Sequence, residues 1–145
     1  MPNVANVKLN PQMKTSTITR TTRSSLKDVC ARLPAIAASH KFGVLGVHDL
    51  KEKMNSKGVP FDRDCSVFEV CNPQQAQRIL NGDIHVSAAL PCRISVFSER
   101  GETVLATIEP TALLALFGQP QGGGAEIANE VRQELIAIME EACRD

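Results

Sequence analysis

Two short strings hold the residues best suited to chemistry. Glu69-Val-Cys-Asn-Pro73 places a thiol, Cys71, at the end of an extended run and directly ahead of a capped helix start. Backbone N–H groups and the helix dipole at such a start favour negative charge. A Cys71 thiolate, a bound anion or a substrate carboxylate would be stabilised there, with Asn72 beside it. Leu90-Pro-Cys-Arg93 supplies a second thiol, Cys92, and the guanidinium of Arg93, whose planar fork recognises carboxylates and phosphates. His48, followed by Asp49 at the end of another extended run, is of the type that serves a thiol nucleophile as general base. The candidate site is therefore Cys71, Asn72, Cys92, Arg93, Glu69 and His48. Each residue also has a plainer reading. Cys71 is then a small buried hydrophobe, Asn72 a helix cap, Glu69 and Arg93 a structural ion pair, and His48 a surface or capping residue.

Metal chemistry finds no support in the spacing. Structural zinc sites show close-spaced ligand pairs, whereas Cys65 and Cys71 lie six apart and His40, His48 and His85 are scattered. A redox couple of Cys71 and Cys92 is permitted but not signalled. Gly122-Gly-Gly124 ahead of the last helix lacks the Gly-Lys-Ser/Thr ending of a phosphate-cradling loop, so a hinge is the better reading.

The elements that must position these residues follow from pattern. KTSTITRTTR (14–23) is a threonine-rich edge strand with one wet face. Ser25-Leu-Lys-Asp28 caps a helix whose apolar stripe is Leu26, Val29, Cys30 and Leu33. Pro34 is expected to kink it before Ile36, Ala37 and an end near His40. Residues 41–48 form a short strand, with Gly43 marking the turn out of the helix. Asp49-Leu-Lys-Glu52 caps a short helix that Gly58 ends.

CSVFEVC (65–71) is the clearest strand: Phe68 and Val70 share one face, and Val67, Glu69 and Cys71 the other. Asn72-Pro-Gln-Gln75 is a cap, a first-turn proline and a capping-box glutamine, opening a helix with Ala76, Ile79 and Leu80 inward. Asp83–Ala89 reads as irregular. Residues 91–97 alternate Cys92, Ile94 and Val96 against Arg93, Ser95 and Phe97. A hairpin turn at Glu99-Arg-Gly101 leads to a partner strand over 103–108. Pro110 opens a short apolar helix through Phe117. The final helix, about Ala125–Cys143, has Ala128, Val131, Leu135, Ile138 and Ala142 on its apolar side.

A hairpin with half-polar strands implies an α+β, two-layer domain: a mostly antiparallel sheet with helices on one face. The expected organisation is an arm over 1–13, a core domain over 14–117, a glycine-rich linker over 118–124 and a packed C-terminal helix over 125–145. If the other sheet face is uncovered, a second copy in a symmetric dimer is the default cover.

Composition narrows the class. The 145 residues are 43% hydrophobic and 22% charged, which is ordinary for one globular domain and excludes disordered and fibrous classes. Sixteen basic and sixteen acidic residues give no net charge, and there is no Trp or Tyr, so neither nucleic acid nor an anionic membrane is an expected partner. No window is apolar enough for a signal peptide or a membrane span. Five cysteines, an odd number without a close-spaced framework, fit reduced thiols in a cytoplasmic protein.

Three segments together, Phe-Gly-Val-Leu-Gly-Val-His-Asp-Leu (42–50), Phe-Glu-Val-Cys-Asn-Pro (68–73) and Leu-Pro-Cys-Arg-Ile-Ser-Val-Phe (90–97), resemble the domain of unknown function 302 family in order and separation. The resemblance spans about Ser25 to Phe117. It implies a small α+β domain like a single copy of the TATA-binding-protein-like fold, and homodimers, but neither DNA binding nor an activity. The chain departs from the family pattern at Pro34 and in its glycine-rich linker. The leading functional expectation is a homodimeric accessory protein holding a small molecule or a metal at a thiol-containing site. The alternatives are a thiol-dependent enzyme or redox protein using Cys71, with His48 or Glu69 assisting, and a purely structural interaction module. The first two require Cys71 and Cys92 to meet in one accessible hollow.

Overall fold

The computed structural model of the chain describes residues 16–118 and 123–144. The expected arm over 1–13, the strand start at Lys14, linker residues 119–122 and Asp145 lie outside the described residues. The elements in order are β1 (Thr17–Thr22), α1 (Leu26–Ser39), β2 (Gly43–Asp49), α2 (Leu50–Ser56), β3 (Cys65–Cys71), α3 (Pro73–Gly82), a 3-10 helix (Ile84–Ala89), β4 (Cys92–Glu99), β5 (Glu102–Ile108), α4 (Pro110–Ala115) and α5 (Gly124–Ala142).

Local chemistry sets most boundaries. Ser25 accepts from the Asp28 N–H at 3.1 Å and Asp49 accepts from the Glu52 N–H at 3.0 Å, so both expected caps form. The end of α1 differs from expectation. Lys41, not Gly43, takes the left-handed conformation (φ 66°), while Phe42 N–H reaches back to the Ala37 carbonyl and Lys41 N–H to that of Ala38. This pair of bonds closes the helix and drives Phe42 into the core, a gain that outweighs the steric cost of a lysine in that region. Helix α1 continues through Pro34, which lies on its exposed side, where water can serve the carbonyl left without a partner. Residues 84–89, expected to be irregular, form a 3-10 helix because Asp83 caps it by accepting from the His85 N–H at 3.0 Å. At the β4–β5 hairpin both Arg100 (φ 51°) and Gly101 (φ 78°) are left-handed, the geometry a two-residue turn needs to match strand twist.

The five strands pair antiparallel in the order β1-β5-β4-β3-β2, which leaves β1 and β2 as edges. The architecture is α+β, an open sheet rather than a closed barrel. Phe68 opposite Ile94 and Val96 opposite Leu105 are two apolar pairs on one face of the sheet. Helices α1 and α5 cover that face. Val29, Leu33 and Ala37 of α1 meet Ile127, Val131, Leu135, Ile138, Met139 and Ala142 of α5 over Phe68, Val70, Ile94, Val96 and Leu105. The apolar stripe read for the last helix is the buried one. His40 at the end of α1 bridges Glu134 (2.8 Å) and Glu141 (3.0 Å) of α5, and these two carboxylates, Glu141 foremost, raise its pKa. No helix among the described residues is long and apolar enough to cross a membrane.

Candidate functional site

Asn72 behaves as its position requires. Its side-chain oxygen accepts from the N–H groups of Gln74 (3.1 Å) and Gln75 (3.2 Å), so the first donors of α3 are satisfied within the chain. The stabilised Cys71 thiolate expected at this helix start is therefore not found. Burial raises the Cys71 pKa, and Cys92 is pushed up to about 11, first by burial and then by its proximity to Cys71. Both thiols are neutral near pH 7.

The two thiols nonetheless come together. Cys92 stands opposite Val70 in the β3–β4 register, and Cys71 and Cys92 both line a small cavity of about 30 Å³ on the helix side of the sheet. Cys71 is the last residue of β3, paired with Gly43 of β2, and meets the cavity at the strand's end, next to the Asn72 cap. Gln75 also lines the cavity. Its capping-box role, accepting from the Asn72 N–H, is not taken up. Its Oε1 is buried and has no hydrogen-bond partner. A buried acceptor left unpaired costs about 1–3 kcal/mol, so such atoms are few in folded proteins.

This small cavity adjoins a larger one. Ile79, Leu90, Cys92 and Val131 line both. The larger chamber measures about 310 Å³ and lies between the ends of β4 and β5, α3, the 3-10 helix, α4 and α5. Leu113, Leu114, Phe117, Val86, Pro110 and Ala128 supply much of its wall. Two further wall residues, Ile108 and Leu116, are 53% and 78% exposed, so the chamber reaches the surface through an apolar rim. Thr107 also borders it, with its hydroxyl already donating to the Arg93 carbonyl at 2.7 Å. This volume falls in the range of small-molecule sites, and about 150 Å³ of apolar cavity already suffices for benzene.

His48 and Glu69 line neither cavity. They lie on the opposite face of the sheet, so the structure does not bring them to Cys71 as assisting groups. Glu69 Oε1 is 2.6 Å from His48 Nε2, and Lys53 of α2 contacts the other ring nitrogen of His48. Glu69 is directly across from Arg93 on β4 but accepts its hydrogen bond from His48. That bond, with the charges of His48, Arg93 and Lys53, holds the Glu69 carboxyl below the usual carboxylate range. On β2 a bulge between Val44 and Gly46 puts Gly46 opposite Glu69, where an added Cβ would stand 2.9 Å from Glu69 Oε1. Glycine there makes room for the carboxylate.

Arg93 therefore belongs mainly to the charged face, although it also borders the chamber. Among the described residues no group of three or more His, Cys, Asp or Glu is placed to hold a metal ion. The chamber and Gln75 were not read as site features from the sequence. One signal was present in Pro-Thr-Ala-Leu-Leu-Ala-Leu-Phe (110–117), a short helix apolar on more sides than one core contact can use.

Comparison with known proteins agrees with the fold. The family model described as "Domain of unknown function DUF302" matches residues 18–142. A solved structure, the crystal structure of an uncharacterized conserved protein DUF302 from Bacillus stearothermophilus, is similar at 32% sequence identity with a TM-score of 0.82, covering 89% of this chain and 98% of that one. No curated protein matches the chain.

Proposed function

The chain belongs to the DUF302 family, and from that footing we propose that it is a non-enzymatic accessory domain that binds a small apolar molecule in the chamber beside Cys92. One observation carries the reading: a surface-connected, mostly apolar cavity of about 310 Å³ beside the core. A ligand there would exchange water for dispersion contacts along a mostly apolar lining. The neutral thiols favour a wall over a nucleophile, which weighs against the alternative of a Cys71 enzyme.

The protein acts as a symmetric dimer through the open sheet face. Val67, Phe97 and Ala106 are half-buried there, while Glu69 and Arg93 on adjacent strands offer unlike charges to a second copy. Sedimentation tests this part: a dimer of about twice 15.7 kDa that Phe97→Glu dissociates is expected, and a monomeric wild type contradicts it.

Titration with the neutral fluorophore N-phenyl-1-naphthylamine tests the ligand site. Wild-type protein should enhance its emission with saturation. Ala128→Phe, which fills the chamber from α5, should weaken binding at least about tenfold while the circular dichroism spectrum is kept. No saturable signal from folded wild-type protein refutes the site.

A further inference from the structure

We infer that His40 is a pH-operated latch, whose protonated ring fastens the C-terminal half of α5 to the end of α1. The ring stands at the C-cap of α1, where the carbonyl end of the helix favours a cation. Its Nδ1 lies 2.8 Å from Glu134 Oε2 and its Nε2 lies 3.0 Å from Glu141 Oε2. The two carboxylates are seven residues apart, about two helical turns, so both rise from one face of α5 with the ring between them. A neutral imidazole has one N–H and one lone pair and can donate to only one of these acceptors. The imidazolium donates to both.

The other polar ties on α5 keep their charge near neutral pH. Arg78 of α3 holds Glu130 at 2.9 Å, Arg20 of β1 holds Glu140 at 3.1 Å, and Arg132 holds Glu109 at 2.8 Å. Arg32 of α1 donates to the Ala142 carbonyl at 2.8 Å and to Ser24 at 3.0 Å. A guanidinium stays charged throughout this range, so His40 is the tie that titrates. Around its ring α5 presents Glu134 and Glu141, while Lys41, just past α1, and Arg144, just past α5, are exposed. The two carboxylates, Glu141 foremost, raise the pKa of the ring against the effect of burial. A group raised in this way stabilises fully below its unfolded value of about 6.5, and that contribution is lost as pH rises through the folded value. Alkaline pH then leaves one carboxylate facing a ring lone pair and loosens the end of α5.

Cys143, half-buried at the C-cap of α5, reports this release through its rate of reaction with 4,4′-dithiodipyridine, read by peptide mass spectrometry on the full chain. His40→Gln keeps one N–H donor and cannot gain the second. At about pH 6 it should label at Cys143 about threefold to fivefold faster than wild type, and at about pH 9 the two rates should converge. Comparing the chains at one pH cancels the ionisation of the thiol itself. Glu141→Gln should show the same convergence and carries the test if His40→Gln does not fold. An NMR titration of the wild-type ring should place its midpoint above the ordinary histidine value, and Glu141→Gln should lower it. A midpoint at or below that value, or a rate ratio that does not change with pH, overturns the latch.

Discussion

On the helix side of the sheet, Cys92, Ile94 and Val96 alternate inward to meet aliphatic side chains. One residue over, Arg93, Ser95 and Phe97 turn to a face where Glu69, His48 and Lys53 form a hydrogen-bonded charged group. The helix side contains the chamber and an unpaired amide oxygen. The other face contains satisfied charges and no cavity wall from His48 or Glu69. Chemically able residues close in sequence therefore need not form one site. A strand sends neighbours to opposite faces, so Cys92 and Arg93, adjacent on β4, serve different surroundings.

Paired truncations on β4 separate the two faces by their burial. Ile94→Ala, at a fully buried position, should cost about 2–5 kcal/mol in urea denaturation. Arg93→Ala, one residue away, should cost under about 1 kcal/mol, as exposed charges do. Equal losses would mean that the two faces are not distinct in burial.

Thiol labelling sharpens the chemical side. At pH 7.5 a thiol with a pKa of about 11 is ionised more than about a hundredfold less than a free one, so Cys92 should react with iodoacetamide slower by at least that factor. N-phenyl-1-naphthylamine should slow it further. Rapid labelling of Cys92 or Cys71 in the folded protein would restore the nucleophile reading.

The smallest effect concerns the charged face. Its folded-state pKa is lowered, so the contribution of Glu69 to stability is present above the unfolded carboxylate pKa and is lost as pH falls through the folded value. In His48→Ala, an NMR titration should find the Glu69 carboxyl moved up toward its ordinary value, with N-phenyl-1-naphthylamine binding unchanged. A change in that binding would couple the two faces.

Much of the fold was legible because it rests on short-range rules. The Phe68/Val70 and Ile94/Val96 alternations, the Ser25, Asp49 and Asn72 caps and the α5 stripe all found their expected places. The site was less legible. The left-handed Lys41 at the end of α1 is a tertiary effect, decided by where Phe42 must pack. Gln75 had a competent local role as a capping-box residue, and no pattern in the chain says that its Oε1 would not take it up. The chamber is further still from the text, because its walls come from segments between Ile79 and Val131 that only the fold brings together.

A crystal structure of the full protein with N-phenyl-1-naphthylamine decides whether the chamber is a binding site. Density for the probe within the chamber, against Leu90, Leu114 and Ala128, is the predicted result. An empty chamber with the probe on the open sheet face, beside Phe97 and Arg93, would contradict it.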